Sequence, residues 1–310
     1  MNILLTGGAG YLGSTMVGYL LSEGHKVTVV DNFMFGEASL NQYCYHPSFD
    51  VVNGDIRVRD VMEPLIKVAD AIIPLAALVG APLCAKDPIG AKTINHDAII
   101  TMLDIVSPNQ IVLMPTTNSA YGTGDDNNHC DENSPLRPIS TYAIEKVEVE
   151  KKLMERENSI SFRLATVFGM SPRMRIDLLV NDFAYRAVND RAVVLFESHF
   201  KRNYVHVRDV SRVFIHGINN IDRMRGEIYN VGLSSANVSK KELCEIIQKH
   251  VDGFIFVEEK IGKDPDQRNY IVSNAKLEAT GFETKFDLDH GISELIKGFK
   301  MIKNTRYGNV

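Results

Sequence analysis

Short apolar runs alternate with longer amphipathic segments through the first half of the chain. The runs predict strands at Asn2–Thr6, Lys26–Asp31, Phe49–Asn53, Ala71–Leu75, Gln110–Pro115 and Ser161–Ala165. The segments between them predict helices over Tyr11–Glu23, Val58–Val68, Ala91–Val106 and Thr141–Arg156. Strands that are apolar on both faces, each followed by a helix, are typical of a doubly wound parallel sheet. We therefore expect an α/β fold.

The pattern becomes irregular after about residue 166. Further strands are predicted at Val193–Phe196, Asn203–His206, Ile228–Val231 and Phe254–Val257, mixed with short helices. No Pro-rich or Ser-rich linker separates the two halves. We expect a first domain over 1–166 and a smaller C-terminal α/β domain over 167–310, packed directly on the first, with the chain crossing back to the first sheet.

Composition and charge narrow the class of protein. The 310 residues are 45% hydrophobic and 24% charged, with a net charge of −5. This composition is typical of a globular protein, and it argues against a general nucleic-acid binder. No apolar run is long enough for a spanning helix, and the first residues do not resemble a signal peptide. The four cysteines are far apart and show no CxxC spacing, which argues against a structural zinc site and against a disulfide framework. We expect a cytoplasmic protein with no membrane partner and no metal.

A glycine-rich turn follows the first strand. Gly7, Gly10 and Gly13 stand between that strand and a helical segment, and Asp31 ends the second strand eighteen residues after Gly13. Glycine lets the backbone approach a pyrophosphate, and the helix N-terminus attracts the negative charge. An acidic residue at Asp31 fits a ribose diol and repels a 2′-phosphate. The motif predicts a Rossmann-type domain that binds NAD rather than NADP; the alternative is a glycine turn that only packs.

The carboxyl ends of the strands supply the other candidate cofactor contacts, because ligands bind at that edge of a doubly wound sheet. The candidates in the glycine turn and at the first four strand ends are Gly7, Gly10, Tyr11, Leu12, Asp31, Asn32, Asp55, Ile56, Leu75, Ala76 and Ala77.

Tyr142 and Lys146 are spaced i, i+4 at the start of a predicted helix, after a Pro138 and Ser140 entry signal. This spacing places both side chains on one helix face. A neighbouring ammonium lowers the pKa of a tyrosine towards the range of a working base. A surface pair is the alternative, but the position after the fifth strand favours catalysis.

Together these motifs resemble the extended short-chain dehydrogenase/reductases of the nucleotide-sugar epimerase/dehydratase family. The resemblance covers essentially the whole chain, including Asn95, Tyr121-Gly122, Arg202–Asp209 and Tyr229–Gly232. It implies NAD as cofactor, with Tyr142, Lys146 and Asn95 near it, and a nucleotide-diphosphate sugar as substrate, bound mainly by the second domain. It also implies a homodimer formed by the helices at Ala91–Val106 and Thr141–Arg156, although periodicity alone also allows core packing.

The same resemblance implies the third catalytic residue. Counting back from Tyr121 and from Tyr142 identifies Thr117 as the hydroxyl beside the reacting sugar oxygen, with Thr116 as the substitute if the loop shifts by one. Dehydratases of the family carry Asp-Glu directly after this threonine, decarboxylases a glutamate and 3,5-epimerase/reductases a cysteine at the second position. Asn118 and Ser119 stand here instead. We therefore expect hydride chemistry at one carbinol only.

Several stretches, among them Pro74–Cys84, Thr116–Gly122 and Ser171–Arg175, resemble capsule-heptose enzymes that oxidise C4 of GDP-manno-heptose. This favours a GDP-heptose 4-dehydrogenase of surface-polysaccharide biosynthesis, with a UDP- or GDP-sugar 4-epimerase as the alternative. A non-catalytic NAD-binding sensor on the same fold is the remote alternative, and the presence of both Tyr142 and Lys146 argues against it.

Candidate substrate contacts lie mostly in the second half, where guanidinium groups suit diphosphate oxygens. The set comprises Val79, Asn118, Ser119, Arg173, Asn181, Arg202 and Arg268, from a wider basic group with Arg175, Lys201 and Arg208. We interpret Cys84 as a buried thiol and His206 as a structural histidine. We expect Glu145, Glu148 and Glu150, with Lys151 and Lys152, to form a solvated helix face.

Overall fold

The computed structural model describes residues 1–36, 38–122, 129–259 and 269–302. In the first half its elements are, in chain order, β1 (Asn2–Thr6), α1 (Tyr11–Ser22), β2 (Lys26–Asp31), β3 (Phe49–Asn53), α2 (Arg59–Val68), β4 (Ala71–Pro74), α3 (Ala81–Lys86), α4 (Pro88–Lys92), α5 (Ala98–Ile105), β5 (Ile111–Thr117), β6 (His129–Cys130), α6 (Thr141–Leu153) and β7 (Ser159–Leu164). The six predicted strands are confirmed, with ends that differ by two residues at most.

The second half continues with β8 (Thr166–Phe168), α7 (Leu179–Asn189), β9 (Ala192–Phe196), β10 (Lys201–His206), α8 (Val207–Asn219), α9 (Ile221–Met224), β11 (Glu227–Val231), β12 (Asn237–Ser239), α10 (Lys240–Gln248), β13 (Ile255–Glu259), β14 (Ile271–Val272), α11 (Ala275–Glu278) and α12 (Leu288–Phe299). In the described ranges, no helix has the length and apolar character needed to span a bilayer.

Seven strands form one parallel sheet in the order β11-β7-β5-β4-β1-β2-β3. The order reverses between β1 and β4, which is the switch point of a Rossmann-type sheet. Strand β11 lies beside β7, so the chain returns to the central sheet from its second half, as expected. The division into domains at residue 166 stays a prediction.

The central strands are apolar because helices cover both faces of the sheet. On one face Ile3 and Leu5 of β1 pack with Met16 of α1 and Phe214 of α8. On the other face Leu4 packs in a second cluster with α2, α5 and α6. This two-sided burial explains the unbroken apolar runs. It also leaves only the strand ends available for polar chemistry.

One predicted helix is interrupted. The segment Ala91–Val106 is not one helix, because a π-helical turn at Thr93–Asp97 lies between α4 and α5. Within the turn the side chain of Asn95 is fully buried and bonds both the N–H and the C=O of Leu78, at 2.9 and 3.0 Å. A π turn re-aims side chains locally and often marks a functional position. Here it attaches the helix to the loop after β4.

Helix α6 is also more buried than the charge pattern indicates. Glu148 and Lys151 are exposed, but Glu145 is 6% and Glu150 is 4% exposed, so the prediction of a solvated face was wrong for these two. Glu150 pairs with buried Arg163 of β7 at 2.6 Å. Buried carboxylates need partners, and this pair fastens α6 to the sheet.

Candidate active site

A cavity of about 690 Å³ opens at the carboxyl edge of β1, β2, β4 and β5. It is lined by most of the site residues predicted from the sequence: Gly7, Gly10, Tyr11, Leu12, Asp31, Asn32, Asp55, Ile56, Leu75, Ala76, Ala77, Val79, Thr117, Ser119, Tyr142, Lys146, Arg173 and Arg202. Its location at the switch point agrees with the general placement of ligand sites in such sheets.

The glycine turn forms one wall of the cavity and leaves no room for side chains. Gly7 has φ +69°, and a Cβ there would stand 2.5 Å from the backbone nitrogen of Ala76. A Cβ on Gly13 would stand 2.5 Å from the carbonyl oxygen of Gly7. Helix α1 then starts from Gly10, which has no side chain to cap the first N–H groups. The turn therefore exposes backbone donors and a positive helix end to the cavity.

The carboxylate of Asp31 stands at the end of β2 beside this turn. Its Oδ2 accepts a hydrogen bond from the N–H of Ala9 at 2.9 Å, and its Oδ1 accepts one from the N–H of Phe33 at 2.8 Å. These bonds fix the orientation of the carboxylate, and each oxygen keeps further acceptor capacity. A fixed, negatively charged acceptor fits a ribose diol, as predicted.

Asp55 lines the same end of the cavity after β3. Its carboxylate is held by Arg57, with 2.5 Å between Oδ2 and Nη2, and this hydrogen bond lowers the pKa of Asp55 against the opposing effect of burial. Asp55 is therefore a second fixed anion on the dinucleotide side.

Tyr142 and Lys146 lie on one face of α6, whose N-cap is Ser140. The Ser140 hydroxyl accepts from the N–H of Ala143 at 3.2 Å, as the entry signal predicted. Lys146 is 3% exposed, and burial lowers its pKa from 10.5 to about 8, against the opposing charges of Glu145 and Cys84. Lys146 therefore loses its proton at a lower pH than an ordinary surface lysine.

Two neighbouring threonines at the end of β5 have different partners. The hydroxyl of Thr116 bonds Glu150 at 2.8 Å and lies 2.9 Å from that of Ser161, inside the buried network of the sheet. The hydroxyl of Thr117 donates to that of Ser119 at 3.0 Å. Both threonines line the cavity, but only the hydroxyl of Thr116 is engaged by the buried network. Thr117 is thus the better candidate for a substrate contact, and Thr116 serves the fold.

Three arginines line the opposite wall: Arg173, Arg175 and Arg202 are 1%, 8% and 4% exposed. Arg175 is paired with Asp177 at 2.5 Å. The guanidinium carbon of Arg173 lies 3.8 Å from the ring centre of Phe35, which belongs to the loop after β2. Arg173 therefore connects the second half of the chain to the loop that carries Asp31 and Asn32, a contact that the sequence did not predict.

Three predicted site residues are buried away from the cavity wall. Asn95 anchors the loop at Leu78, and Asn181 bonds the hydroxyl of Tyr11, the N–H of Gly169 and the carbonyl of Arg175. Asn118 is 1% exposed, with no hydrogen-bond partner for its amide. Asn95 and Asn181 thus stabilise the structure through bonds to backbone groups, whereas Asn118 makes no such bond. Arg268 lies outside the described residues.

Sequence reasoning missed part of the wall. Phe33, Met34 and Phe35 line the cavity after β2, and Asp177 and Asp182 line it near the arginines. The apolar residues directly follow Asp31-Asn32 in the sequence, so their position was a usable signal. No sequence pattern marked the two aspartates, because only the fold brings them to the site.

Two other interpretations are confirmed. Cys84 is 4% exposed, and burial raises the pKa of its thiol, as for an inert buried cysteine. His206 is fully buried; its Nδ1 accepts from the N–H of Arg208 and its Nε2 lies 2.9 Å from Glu294. Arg208 is paired with Glu294 as well, away from the cavity wall.

Comparison with known proteins agrees with this geometry. The model of the NAD dependent epimerase/dehydratase family matches residues 3–232. The chain belongs to this family. Among its relatives, a putative UDP-glucose 4-epimerase of Methanocaldococcus jannaschii is 28% identical over 314 residues, covering 96% of this chain and 98% of that protein. UDP-glucuronic acid decarboxylase 3 of Arabidopsis thaliana is 27% identical, covering 98% and 90%.

A solved structure with the same fold is the UDP-glucose 4-epimerase of Thermotoga maritima with UDP-glucose. It superposes with a TM-score of 0.83 at 25% identity, over 97% of this chain and 99% of that one. Family membership makes this chain an NAD-dependent enzyme of the epimerase/dehydratase type. The cavity fits the cofactor, because its glycine cradle, uncapped helix start and fixed Asp31 carboxylate match a pyrophosphate and a ribose diol.

Proposed function

We propose that the enzyme oxidises the C4 hydroxyl of a nucleotide-activated sugar to a 4-keto sugar nucleotide. The observation that carries the proposal is the convergence of Tyr142, Lys146 and Thr117 with the dinucleotide cradle in one cavity. These three side chains suit the oxidation of one carbinol, which needs a base, a cation and a hydroxyl contact.

Each residue has a separate task. The Tyr142 oxygen takes the proton of the C4 hydroxyl, and the Lys146 ammonium stabilises the phenolate form of Tyr142. The Thr117 hydroxyl bonds the sugar oxygen as it becomes a carbonyl. NAD, when bound along the glycine turn and Asp31, supplies the acceptor for the hydride that leaves C4. The proton and the hydride together leave the product two hydrogens lighter.

The residues after Thr117 limit the reaction. Asn118 is buried behind the wall, and Ser119 at the wall is neither an acid nor a base near neutral pH. Elimination of water from the sugar needs both an acid and a base beside it. The absence of an acid and a base at these two positions therefore supports an oxidation without elimination of water.

The diphosphate of the substrate is assigned to Arg173 and Arg202. Both guanidinium groups belong to the cavity wall, and both side chains are buried there. Planar guanidinium groups match diphosphate oxygens, and binding energy remote from the reacting carbon positions it. Arg268 remains a sequence prediction for the same task.

A second candidate is a 4-epimerase that returns the hydride to the other face of the ketone. The names of the relatives favour this outcome, since one is called a putative UDP-glucose 4-epimerase. The relatives reported above are named for UDP-sugars, so the GDP-heptose substrate and a place in surface-polysaccharide synthesis rest on the sequence resemblance alone.

The test is mass spectrometry of the purified protein incubated with NAD and a panel of GDP- and UDP-sugars that includes heptoses. A product two hydrogens lighter supports the dehydrogenase, and an equal-mass C4 epimer supports the second candidate. Loss of water would contradict the argument from Asn118 and Ser119. No conversion of any sugar, with NAD bound, would instead favour a cofactor-binding sensor.

We also infer that two copies pair through α5 and α6, as the family resemblance implies. Ile144 is 42% exposed on the outer face of α6, where a paired helix would cover it. Light scattering is expected to give twice the 34.6 kDa of one chain, and Ile144→Asp to lower that mass. A wild-type monomer at micromolar concentration would contradict the pairing.

A further inference from the structure

A buried glutamate and the active-site lysine are consecutive residues of α6. Glu145 is 6% exposed and directly precedes Lys146, which is 3% exposed. Burying a carboxylate or an ammonium alone is strongly unfavourable, and a charged neighbour offsets the cost. The sequence pattern placed Glu145 on a solvated face, so its burial needs an explanation that the oxidation of the sugar does not by itself provide.

The carboxylate is held in place by the π turn. The side-chain N–H₂ of Asn95 donates to Oε2 of Glu145 at 3.2 Å and to the carbonyl of Leu78 at 3.0 Å. The thiol of Cys84 donates to the same carbonyl at 3.2 Å. Leu78 and Val79 belong to the cavity wall, so one asparagine connects Glu145 to that wall.

The other ionisable groups around α6 leave Glu145 as the main negative charge near Lys146. Cys84 of α3 is neutral near pH 7, because burial and the charge of Glu145 raise the pKa of its thiol. On the π turn, His96 lies 2.8 Å from Asp97 and 3.6 Å from exposed Glu148. On the sheet side, Glu150 is paired with Arg163.

We propose that Glu145 is a positioning residue that acts through Lys146: its buried carboxylate, held by Asn95, keeps the neighbouring ammonium charged in the cavity wall. The role rests on the proposed function, since it matters for the reaction only if Lys146 supports Tyr142. Burial lowers the pKa of Lys146, and the charge of Glu145 opposes that effect. Without this charge, the lysine would lose its proton at a lower pH.

The experiment measures the ionisation of Lys146 directly in the full-length protein. Lysine labelled with ¹³C at Cε is titrated by NMR from pH 6 to 10, and the Lys146 signal is assigned by its loss in Lys146→Arg. Glu145→Gln removes the charge but keeps an oxygen that accepts from Asn95. The matched control is Glu148→Gln, which removes an exposed carboxylate from the same helix.

We expect the Lys146 midpoint near pH 8 in the wild type and in Glu148→Gln, since the pKa is about 8. In Glu145→Gln it should fall by about one pH unit, the lower range for one nearby opposite charge. Glu145→Asp keeps the charge one methylene further away and should give an intermediate midpoint. If Glu145→Gln does not fold, the comparison of Glu145→Asp with Glu148→Gln still decides.

Equal midpoints in Glu145→Gln, Glu145→Asp and Glu148→Gln would overturn the inference. This outcome differs from a failure of the proposed function, because the titration needs no turnover. If the sugar panel is converted, the alkaline limb of the kcat profile should move down with the midpoint in Glu145→Gln. An unchanged alkaline limb of the kcat profile, with a shifted Lys146 midpoint, would also contradict the proposed role of Glu145.

Discussion

The two walls of the cavity are built in different ways. The centre of the dinucleotide wall is the backbone of one short segment, Gly7–Gly13, with the fixed carboxylate of Asp31 beside it. The wall to which we assign the sugar nucleotide consists of side chains from distant elements, such as Arg173 after β8 and Arg202 of β10. Backbone geometry depends on neighbouring residues, whereas a side-chain wall depends on the whole fold. The first wall can therefore stay the same while the second changes with the substrate.

Tyr142 and Lys146 line the same cavity as both walls. The largest loss of activity is expected when one of them is substituted. Tyr142→Phe removes the proton acceptor and leaves both walls intact. We expect kcat to fall by about 10³-fold, within the range of a lost general base. Titration with NAD should show unchanged binding. A variant that keeps more than a tenth of the activity would place the base elsewhere.

Substitutions of the two threonines should separate an effect on the reaction from an effect on stability. Thr117→Ala removes the hydroxyl at the cavity wall and should lower kcat by about 10²-fold, as for a lost hydrogen bond to a developing oxyanion. Thr116→Ala leaves Glu150 with one partner fewer and should instead lower stability by about 1 kcal/mol. Rates and thermal unfolding of both variants check this. The reverse pattern would mean that Thr116 contacts the sugar.

Gly13→Ala should affect the dinucleotide wall alone. The added Cβ would stand 2.5 Å from the carbonyl oxygen of Gly7, so the turn must shift. Overpacking typically costs about 1–3 kcal/mol, and the same free energy lost from NAD binding corresponds to about 5- to 150-fold in affinity. Calorimetry with NAD and with a sugar nucleotide separates the two effects. Equal loss of both affinities would show that the walls are not independent.

Substitution of Arg173 should give the smallest change in affinity, and it tests the contact between the two walls. Its guanidinium stacks on Phe35 of the dinucleotide side, and such a contact is worth about 0.5–2 kcal/mol. Arg173→Ala should therefore weaken both ligands by several-fold, whereas Phe35→Ala should weaken NAD alone. If Arg173→Ala changes only the sugar-nucleotide affinity, the stack has no role in holding the dinucleotide loop.

The same contrast explains what could be predicted from the sequence. The strands, the glycine turn, Asp31 and the Tyr142–Lys146 spacing follow from local patterns, and the structure confirms that they lie together. Glu145 was misjudged because its burial depends on Asn95, fifty residues earlier in the chain. Asn118 and Asn181 have the polar character of ligand contacts, but only the fold shows that they are buried behind the wall.

The central claim is that hydride leaves C4 of a sugar nucleotide in this cavity. The most direct measurement uses the sugar nucleotide that reacts in the panel, synthesised with deuterium at C4, and mass spectrometry of the cofactor after one turnover. The account predicts one deuterium on the reduced dinucleotide with the wild type and none with Tyr142→Phe. Deuterium that stays on C4 of a sugar oxidised at another carbon, or that is lost to water while the cofactor remains unlabelled, would contradict it.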